Sequence, residues 1–331
     1  MDRFGWNYAG SLAAWMRYRY PHLVYAAVSS SSPLIAKADF SDFFQSVSNS
    51  LSTVSTKCVD AIRDAYRKMS DGMKNSTKRE HYRELFHPCE PLEDNKNDIA
   101  LFFRAITYTF AFIVEYRGDI WFKDISMEGA CQIMTDETIH KCPVHRLAVW
   151  FSKLYPRCWE HRYSAMIEIL KNTTARDYGN SRQVAFQSCT EFGWWHHTSS
   201  KIDDTFGDRL TLDFFATMCK DAFDSRFNSS FLESAARDTN TIYGGLSLDV
   251  SRVLFVHGSM DPWSSIGITR EPPRGSIAIY IKGLGNCADV FPTHVEDSPQ
   301  IKKVHERMSR ILQRWTTGNK QQSEMQSIYH F

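Results

Sequence analysis

The chain has 331 residues, with 39 Lys or Arg, 38 Asp or Glu and a formal net charge of +1. Hydrophobic residues make up 43% and charged residues 23%, a balance typical of globular proteins that excludes a wholly disordered chain. Because the charge is nearly neutral, we expect neither a nucleic acid nor an anionic membrane surface as a partner. The best apolar run, residues 105–114, is too short to span a membrane. The length predicts about two domains, or one domain with a large insertion.

The first 35 residues have the pattern of α/β structure. Glycines bracket a turn over residues 5–10, and apolar side chains then recur at helical spacing as far as Tyr20. Pro21 ends that helix, and the apolar run at residues 23–28 is typical of a buried strand. The predicted order is therefore turn, helix, strand.

The following segment, residues 36–245, is predicted to be mainly helical, without a strong sheet pattern. One apolar face begins at Phe40, passes Cys58 and continues to Met69, which predicts a single long amphipathic helix. Helical periodicity also marks residues 99–116, 145–155, 160–171 and 211–223.

The α/β pattern returns after residue 245. Residues 252–258 and 277–281 are predicted strands, and Ser298 with Pro299 begins a final helix. Since α/β segments flank a helical block, we expect one α/β domain that hosts a helical insertion. The predicted parts are a core in two pieces, residues 1–35 and 246–318, an insertion, residues 36–245, and a polar tail, residues 319–331.

Cysteines and glycosylation triplets indicate the cellular compartment. An even number of cysteines without a Cys-x-x-Cys pair predicts disulfides, and the alternative is eight buried thiols in a cytosolic protein. Asn-x-Ser/Thr triplets at Asn75, Asn172 and Asn228 are candidate glycosylation sites and favour a secretory or lysosomal route. The chain starts without a signal-peptide pattern, so we expect its true beginning to lie upstream. The eight cysteines are Cys58, Cys89, Cys131, Cys142, Cys158, Cys189, Cys219 and Cys287.

Three segments carry residues suited to a hydrolase site. Residues 5–10, bracketed by Gly5 and Gly10, are similar to a G-x-S-x-G nucleophile elbow; the fit depends on how the turn is aligned, and the run contains Asn7 but no serine. Asp261 follows a strand and precedes Pro262, which suits either the acid of a catalytic triad or a simple Asp-Pro turn. Asn286 follows the strand at residues 277–281, where the general-base histidine would stand.

In this order the three segments resemble one family, the serine exopeptidases that include prolyl carboxypeptidase, dipeptidyl peptidase II and thymus-specific serine protease. The resemblance covers residues 4–315. It implies an α/β-hydrolase core with a large helical cap insertion, incomplete here at the N-terminus because only three residues precede Phe4. It also implies cleavage of short, often proline-containing peptides in a secreted or lysosomal setting. Further matching runs are SLAAW (11–15), YPHL (20–23), QSCTE (187–191), YGG (243–245), DPW (261–263) and DSP (297–299).

Carried over position by position, the resemblance implies that Asn7 replaces the nucleophilic serine and Asn286 replaces the histidine, while Asp261 keeps the acid. An amide is neither an ionisable nucleophile nor a general base at neutral pH. Losing the serine or the histidine of a triad costs about 10⁶ in turnover. Trp6, in place of a glycine, is expected to crowd the turn. We therefore predict a non-catalytic homologue that binds short peptides or a partner.

The alternative is an active serine peptidase with a relocated nucleophile. Candidate groups are Ser11, the run Ser29 to Ser32, and the histidines His257 and His294. Ser11 is expected to point along its helix, and the serine run is expected to form a turn.

Four further residues are candidates for ligand contact. Glu191 is expected to meet the charged end of a peptide, and the alternative is a buried carboxylate held by backbone donors. Trp263 is a second candidate substrate contact. His196 and His197 are expected to line the inner surface of the helical insertion.

One cluster has the residue types of a zinc site. His140, Cys142 and His145 with Cys158 follow no common zinc-finger spacing. We expect surface histidines and half of a disulfide there, and hence no metal ion and no cofactor.

Overall fold

The computed structural model describes residues 2–116, 125–174, 180–198, 205–270, 272 and 274–328. The chain forms two compact units. Unit 1 comprises Met1–Ile35 and Tyr243–Phe331, and unit 2 comprises Ala36–Ile242. Unit 2 is therefore inserted in the sequence of unit 1, between Ile35 and Tyr243.

The described elements are numbered here in chain order. The strands are β1 (Asp2–Trp6), β2 (Ala26–Ser30), β3 (Lys37–Asp39), β4 (Gly193–Trp195), β5 (Val253–Gly258) and β6 (Ile277–Ile281). The helices are α1 (Asn7–Arg19), α2 (Asp42–Val54), α3 (Thr56–Gly72), α4 (Ser76–Phe86), α5 (Lys96–Glu115), α6 (Met127–Thr135), α7 (Pro143–Leu154), α8 (Tyr163–Lys171), α9 (Ser181–Gln187), α10 (Leu212–Ala222), α11 (Ser229–Tyr243) and α12 (Pro299–Ile328).

Unit 1 contains a four-stranded parallel sheet in the order β1-β2-β5-β6. Phe4 lies opposite Val28, Val28 opposite Leu254, and Leu254 opposite Ile277. The central strands β2 and β5 are buried along their whole length, as expected of parallel strands covered on both faces. Because parallel strands end at the same edge of a sheet, the residues that follow β1, β5 and β6 meet there.

The strands predicted at residues 252–258 and 277–281 are confirmed as β5 and β6. The strand predicted at residues 23–28 begins later, at Ala26. The reason is a turn, because the backbone N–H groups of Leu23 and Val24 both donate to the carbonyl oxygen of Tyr20, each at 3.0 Å. The chain becomes free to extend only after that turn.

Helix α12 supplies the apolar layer on one face of this sheet. Its start is the one predicted, since Pro299 is its first residue and the hydroxyl of Ser298 accepts the N–H of Ile301 at 3.3 Å. Burial of this apolar set stabilises unit 1. The cluster consists of Val28, Leu254, Val256, Ile279, Ile281, Ile301, Val304, Met308 and Ile311.

A buried guanidinium joins α1 to the strands that it precedes. Arg17 donates to the carbonyl oxygens of Val24 at 2.8 Å, Pro21 at 3.1 Å and Ser251 at 2.9 Å. Burial lowers the pKa of Arg17, and the carbonyl oxygens satisfy its donors. This side chain fixes the turn before β2 and the segment before β5.

Unit 2 is mainly helical, but the long helix predicted from Phe40 to Met69 is wrong. Ser55 has extended φ and ψ angles of −162° and 122° and separates α2 from α3. Its hydroxyl accepts the N–H of Cys58 at 3.3 Å, so it caps the second helix. The apolar face continues across the break, and periodicity alone therefore did not reveal it.

A two-stranded parallel sheet, β3 paired with β4, was not predicted in unit 2. Each strand has three residues, too few to show a period of two. Gly193 has a φ of 69°, and a Cβ there would lie 2.5 Å from the Cα of Ala38. The close approach of the two strands thus requires glycine at this position.

Helix α5 is longer than the apolar run that the sequence suggested. By length and composition it could cross a membrane, but 67% of its apolar stretch is buried inside the structure. Buried side chains such as Phe102, Ile106 and Phe110 pack in the core of unit 2, which accounts for the apolar composition of the helix.

Three disulfides lie in unit 2, which confirms the disulfide prediction for six of the eight cysteines. Cys142 is a half-buried thiol and Cys287 a buried one. Cys158, one of the four candidate zinc ligands, is paired with Cys89 and therefore does not supply a thiolate. The pairs are Cys58–Cys131, Cys89–Cys158 and Cys189–Cys219.

Removing the Cys58–Cys131 disulfide by Cys58→Ser with Cys131→Ser is expected to destabilise the protein strongly. The bond closes a loop with a sequence separation of 73. The chain-entropy relation gives about 4 kcal/mol for such a loop. Guanidinium unfolding followed by circular dichroism measures the change. Cys142→Ser is the matched control and should change stability little; a loss below about 1 kcal/mol for the double variant would contradict the prediction.

Candidate functional site

The junction of β1 and α1 has the geometry of a nucleophile elbow. Asn7, the first residue of α1, has a φ of 49°, in the left-handed region that Asn tolerates better than most residues. Gly5 is buried, and a Cβ there would lie 2.3 Å from the carbonyl oxygen of Ala9. A Cβ on Gly10 would lie 2.8 Å from the carbonyl oxygen of Gly5. The strand, sharp turn and helix therefore present residue 7 at the carboxyl edge of the sheet.

The expected crowding by Trp6 is wrong. Trp6 has extended φ and ψ angles of −128° and 157°, and 51% of its surface is exposed. The indole ring makes an edge contact with Phe4, with ring centroids 6.2 Å apart. The turn is thus accommodated because the side chain points outward.

The structure brings together the three residues that the resemblance assigned to the triad positions. The Nδ2 of Asn286 donates to the Oδ1 of Asn7 at 2.9 Å and to the Oδ1 of Asp261 at 3.2 Å. Asn7 is exposed, whereas Asn286 and Asp261 are buried. We call these three residues the amide chain, which runs from the surface to a buried carboxylate.

The polarity of the amide chain differs from that of a catalytic triad. A triad histidine donates one N–H to its acid and accepts the hydroxyl proton of the nucleophile at its other nitrogen. Asn286 donates in both directions, because its amide nitrogen carries two hydrogens and no available lone pair. At residue 7 the hydrogen bond therefore points the opposite way.

Asp261 begins a local turn and also accepts a hydrogen bond from Asn286. Its Oδ1 accepts the backbone N–H of Trp263 at 3.0 Å, and the 3₁₀ turn Pro262–Ile266 begins after it. The same oxygen accepts from Asn286. Asp261 therefore starts a local turn and also belongs to the amide chain, while Trp263 is half-buried beside it.

His257 lies below the carboxylate of Asp261. Its Nδ1 is 3.5 Å from the Oδ2 of Asp261, and both side chains are fully buried. Among the described residues, neither ring nitrogen has a hydrogen-bond partner. A Cβ on Gly267 would lie 2.2 Å from its Nε2, so the ring is closely covered on that side. His257 is thus a buried neighbour of Asp261. It lies next to the Oδ2 of that carboxylate, whereas Asn286 donates to the Oδ1.

The candidate serines are buried. Ser11 donates to the carbonyl oxygen of Pro33 at 2.6 Å, and its exposed fraction is 0%. The run from Ser29 to Ser32 is at most 1% exposed. The expectation of a turn is wrong for Ser29 and Ser30, which end strand β2 and pair there with Phe255 and Val256 of β5. His294 is exposed in the turn before α12, where its N–H donates to Asp297 at 2.7 Å.

Sequence reasoning missed two buried groups under the amide chain. Asp289 accepts the hydroxyl of Ser30 at 2.5 Å, and burial raises the pKa of Asp289. Cys287 has a φ of 55°, and its backbone N–H donates to the hydroxyl of Ser31 at 2.7 Å. Burial raises the pKa of the Cys287 thiol, and the neighbouring carboxylates of Asp261 and Asp289 raise it further, so the thiol stays protonated. In the sequence, the signals for these buried groups were an Asp three residues after Asn286 and a run of serines after a strand.

In unit 2, Glu191 lies in the π-helical turn Ser188–Phe192. Its side chain is exposed, so the alternative of a buried carboxylate is wrong. The turn is held by the adjacent Cys189–Cys219 disulfide and by the hydroxyl of Thr239, which donates to the Glu191 carbonyl oxygen at 2.7 Å. The Glu191 carboxylate is thus presented by a fixed backbone.

His196 and His197 do not line an open surface, because both are buried in unit 2. The ring of His196 stacks on Phe43 at 3.5 Å, and its Nδ1 is 2.9 Å from the hydroxyl of Tyr108. Burial lowers the pKa of His196 well below its ordinary value, and nearby Arg104 lowers it further. His196 is therefore a neutral core residue.

The family model named serine carboxypeptidase S28 matches residues 3–308. The chain belongs to the serine carboxypeptidase S28 family. Its α/β-hydrolase fold and the resemblance noted from the sequence are thereby confirmed.

Curated relatives agree with this family. A putative serine protease of Caenorhabditis elegans is 27% identical over 96% of this chain and 64% of that protein. Thymus-specific serine protease of Mus musculus is 29% identical over 94% of this chain and 63% of its own length. Lysosomal Pro-X carboxypeptidase of Mus musculus is 26% identical, over 93% and 61%. The chain thus spans less than two thirds of the length of these relatives.

Gly5→Ala is expected to destabilise unit 1 by about 1–3 kcal/mol, the usual range for overpacking. The added methyl would meet backbone atoms of Ala9 and Gly10 at 2.3–2.7 Å, and backbone cannot rotate away as a side chain can. Thermal and denaturant unfolding measure the loss.

Gly129→Ala is the control for that variant. A Cβ on Gly129 would meet only the hydroxyl of Ser126, at an ordinary 3.5 Å, in helix α6. We expect a change between zero and a gain of about 1 kcal/mol, from helix propensity. Equal stability changes for the two substitutions would contradict the assigned role of Gly5.

His196 is expected to make unit 2 less stable in acid. Its pKa is lowered in the folded state, so the unfolded chain binds the extra proton and stability is lost as the pH falls below about 6.5. Relative to pH 7.5, this linkage costs on the order of 1 kcal/mol at pH 5.5. His196→Gln should remove that part of the pH dependence, measured by denaturant unfolding at the two pH values. Phe43→Leu, in the same cluster, should lower stability equally at both; an unchanged pH dependence in His196→Gln would refute the linkage.

Proposed function

We propose that this member of the serine carboxypeptidase S28 family binds short peptides, or the extended end of a partner protein, without hydrolysing them. The observation that carries the proposal is the polarity of the amide chain. Both N–H groups of Asn286 are donated, to Asn7 and to Asp261. A general base must accept a proton from the nucleophile, and an amide nitrogen cannot do so.

The chemistry of residue 7 supports the same conclusion. An asparagine side chain is not an ionisable nucleophile at neutral pH. Loss of the nucleophile or of the base alone costs about 10⁶ in turnover in a serine peptidase. Losing both leaves at most the contribution of substrate binding and of oxyanion donors, about 10³–10⁴ over water.

Features suited to peptide binding remain at the elbow. Residue 7 is exposed at the first turn of α1, and the backbone N–H of Tyr8 occupies the position that supplies one oxyanion donor in this fold. The N-terminus of a helix favours groups with negative charge. We therefore assign the peptide's carbonyl or terminal carboxylate to this turn, and the proline-containing part of the peptide to Trp263 of the same unit.

The second candidate function is hydrolysis by a relocated nucleophile. Its sequence candidates Ser11 and Ser29 to Ser32 are buried, which argues against it. The buried thiol of Cys287 has a raised pKa, and a protonated thiol is a poor nucleophile. The non-catalytic proposal is therefore the better supported of the two.

We also infer a secreted or lysosomal location. Three disulfides favour an oxidising compartment, and a relative is named for the lysosome.

Two of the candidate glycosylation sites, Asn75 and Asn228, are exposed, and the Oδ1 of each accepts a backbone N–H at the start of a helix. Glycan attachment uses the other amide atom, Nδ2, and so leaves both helix caps in place. Asn172 is half-buried.

The decisive experiment compares the native chain with Asn7→Ser/Asn286→His. A fluorophosphonate probe and proline-containing dipeptide and tripeptide reporters measure nucleophile reactivity and turnover, and calorimetry measures peptide binding. We expect the native chain to bind peptides without labelling or turnover. The double variant should be labelled at position 7, because a hydroxyl and an imidazole then stand at the positions that the amide chain links.

Asn7→Ser alone is the matched control, since it restores the hydroxyl but leaves an amide that donates to it. It should react at least about 100-fold more slowly than the double variant, the usual contribution of general-base catalysis. Labelling or turnover by the native chain, abolished by replacing one serine, would overturn the non-catalytic proposal. Failure of the native chain to bind any of the peptides would overturn the binding proposal.

A further inference from the structure

The second edge of the unit 1 sheet forms a groove with helix α12. Strand β6 is last in the order β1-β2-β5-β6 and pairs with β5 on its inner side. A groove of about 480 Å³ lies between Ile279, Tyr280 and Ile281 of this strand and one face of α12. The edge of a sheet presents backbone N–H and C=O groups that can pair with an added strand.

The helix side of this groove is positively charged. Lys303 and Arg307 line it and are exposed, with the buried Val304 between them. No carboxylate of the described part of the chain lines the groove. The face therefore combines an apolar floor with two cations that a bound acidic group would neutralise.

We propose that this groove docks an extended acidic segment of a partner protein, which adds as a strand beside β6. Main-chain hydrogen bonds to the edge would give affinity, and alternate side chains would give specificity. The charge of the groove selects carboxylates as the recognised groups.

The spacing of the two cations fits alternate residues of a strand. Lys303 and Arg307 are four residues apart, which corresponds to about 6 Å along the axis of α12. Alternate side chains on a strand are separated by about 6.6 Å. Tyr280 lies on the opposite face from Ile279 and Ile281, which pack in the core cluster under α12, and it is 51% exposed. The segment that fits is acidic at two alternate positions and apolar at the residue between them, which contacts Tyr280.

A second copy of this chain fits the groove poorly. Pairing of two β6 edges about a two-fold axis would bring the same helix faces together. Residues 299–317 carry Lys302, Lys303, Arg307, Arg310 and Arg314 against one carboxylate, Glu306. Like charges would therefore meet across that interface, whereas an acidic segment is complementary to it.

The probe is a fluorescein-labelled peptide of about eight alternating glutamate and valine residues, long enough to cover a typical edge strand. Binding to the whole chain is followed by fluorescence anisotropy. We expect saturable binding that Lys303→Glu/Arg307→Glu weakens at least about tenfold, because two favourable ion pairs become repulsive. Arg310→Glu/Arg314→Glu, the same charge change on the same helix outside the groove, should weaken binding less than about twofold.

Two further measurements separate strand addition from general charge attraction. Two peptide series are N-methylated at every second residue, one at the odd and the other at the even positions. Successive N–H groups of a strand point to opposite sides, so only one series loses the N–H groups that would pair with β6. One methylated series should therefore lose binding while the other keeps it. A lysine–valine peptide should bind Lys303→Glu/Arg307→Glu better than it binds the native chain.

Equal weakening by the two double variants would overturn the proposal, as would equal effects of the two methylation phases. Binding to vesicles containing phosphatidylserine without binding to the peptide would assign the cations to a lipid surface instead. A dimer in sedimentation velocity that Lys303→Glu/Arg307→Glu alters would assign the edge to a second copy.

Discussion

Two hydrogen bonds from one amide nitrogen organise the site of this protein. The Nδ2 of Asn286 reaches the exposed Asn7, 279 residues away in sequence, and the buried Asp261. They can meet because β1, β5 and β6 are parallel and end at one edge of the sheet. The left-handed conformation of Asn7 completes the arrangement, since it turns the chain from strand β1 into helix α1 and leaves residue 7 exposed.

An amide at residue 286 gives Asp261 a hydrogen-bond donor and offers residue 7 a donor instead of a proton acceptor. A buried carboxylate without a donor is costly, and Asn286 supplies a donor to Asp261 as an imidazole N–H would. What an amide cannot supply is a lone pair that takes a proton from residue 7. Stability and catalysis therefore place different demands on the same position, and under the proposed function asparagine serves the demand for stability.

Unit 2 combines three disulfides with a buried histidine, His196, whose pKa is lowered. Its three disulfides close long stretches of helical chain, and the stacked, buried His196 favours the folded state at neutral pH but not in acid. A protein of this kind in an acidic compartment depends more on its disulfides, because the contribution of a neutral buried histidine declines there. In the proposed lysosomal location, acid would therefore remove part of the stability that His196 provides at neutral pH.

The sequence by itself determined the elements whose signals are local. The apolar runs of β5 and β6, the Ser298-Pro299 start of α12 and the glycines of the elbow each depend on neighbouring residues, and the resemblance assigned Asn7, Asp261 and Asn286 to one site. Tertiary structure alone decided the break at Ser55, the short β3–β4 pair, the choice of disulfide partners and the bond from Ser30 to Asp289. It also decided that Asn286 donates to both of its neighbours, and that β6 and α12 leave a cationic groove between them. These features depend on the distance and direction between groups far apart in the chain, which no local period or spacing encodes.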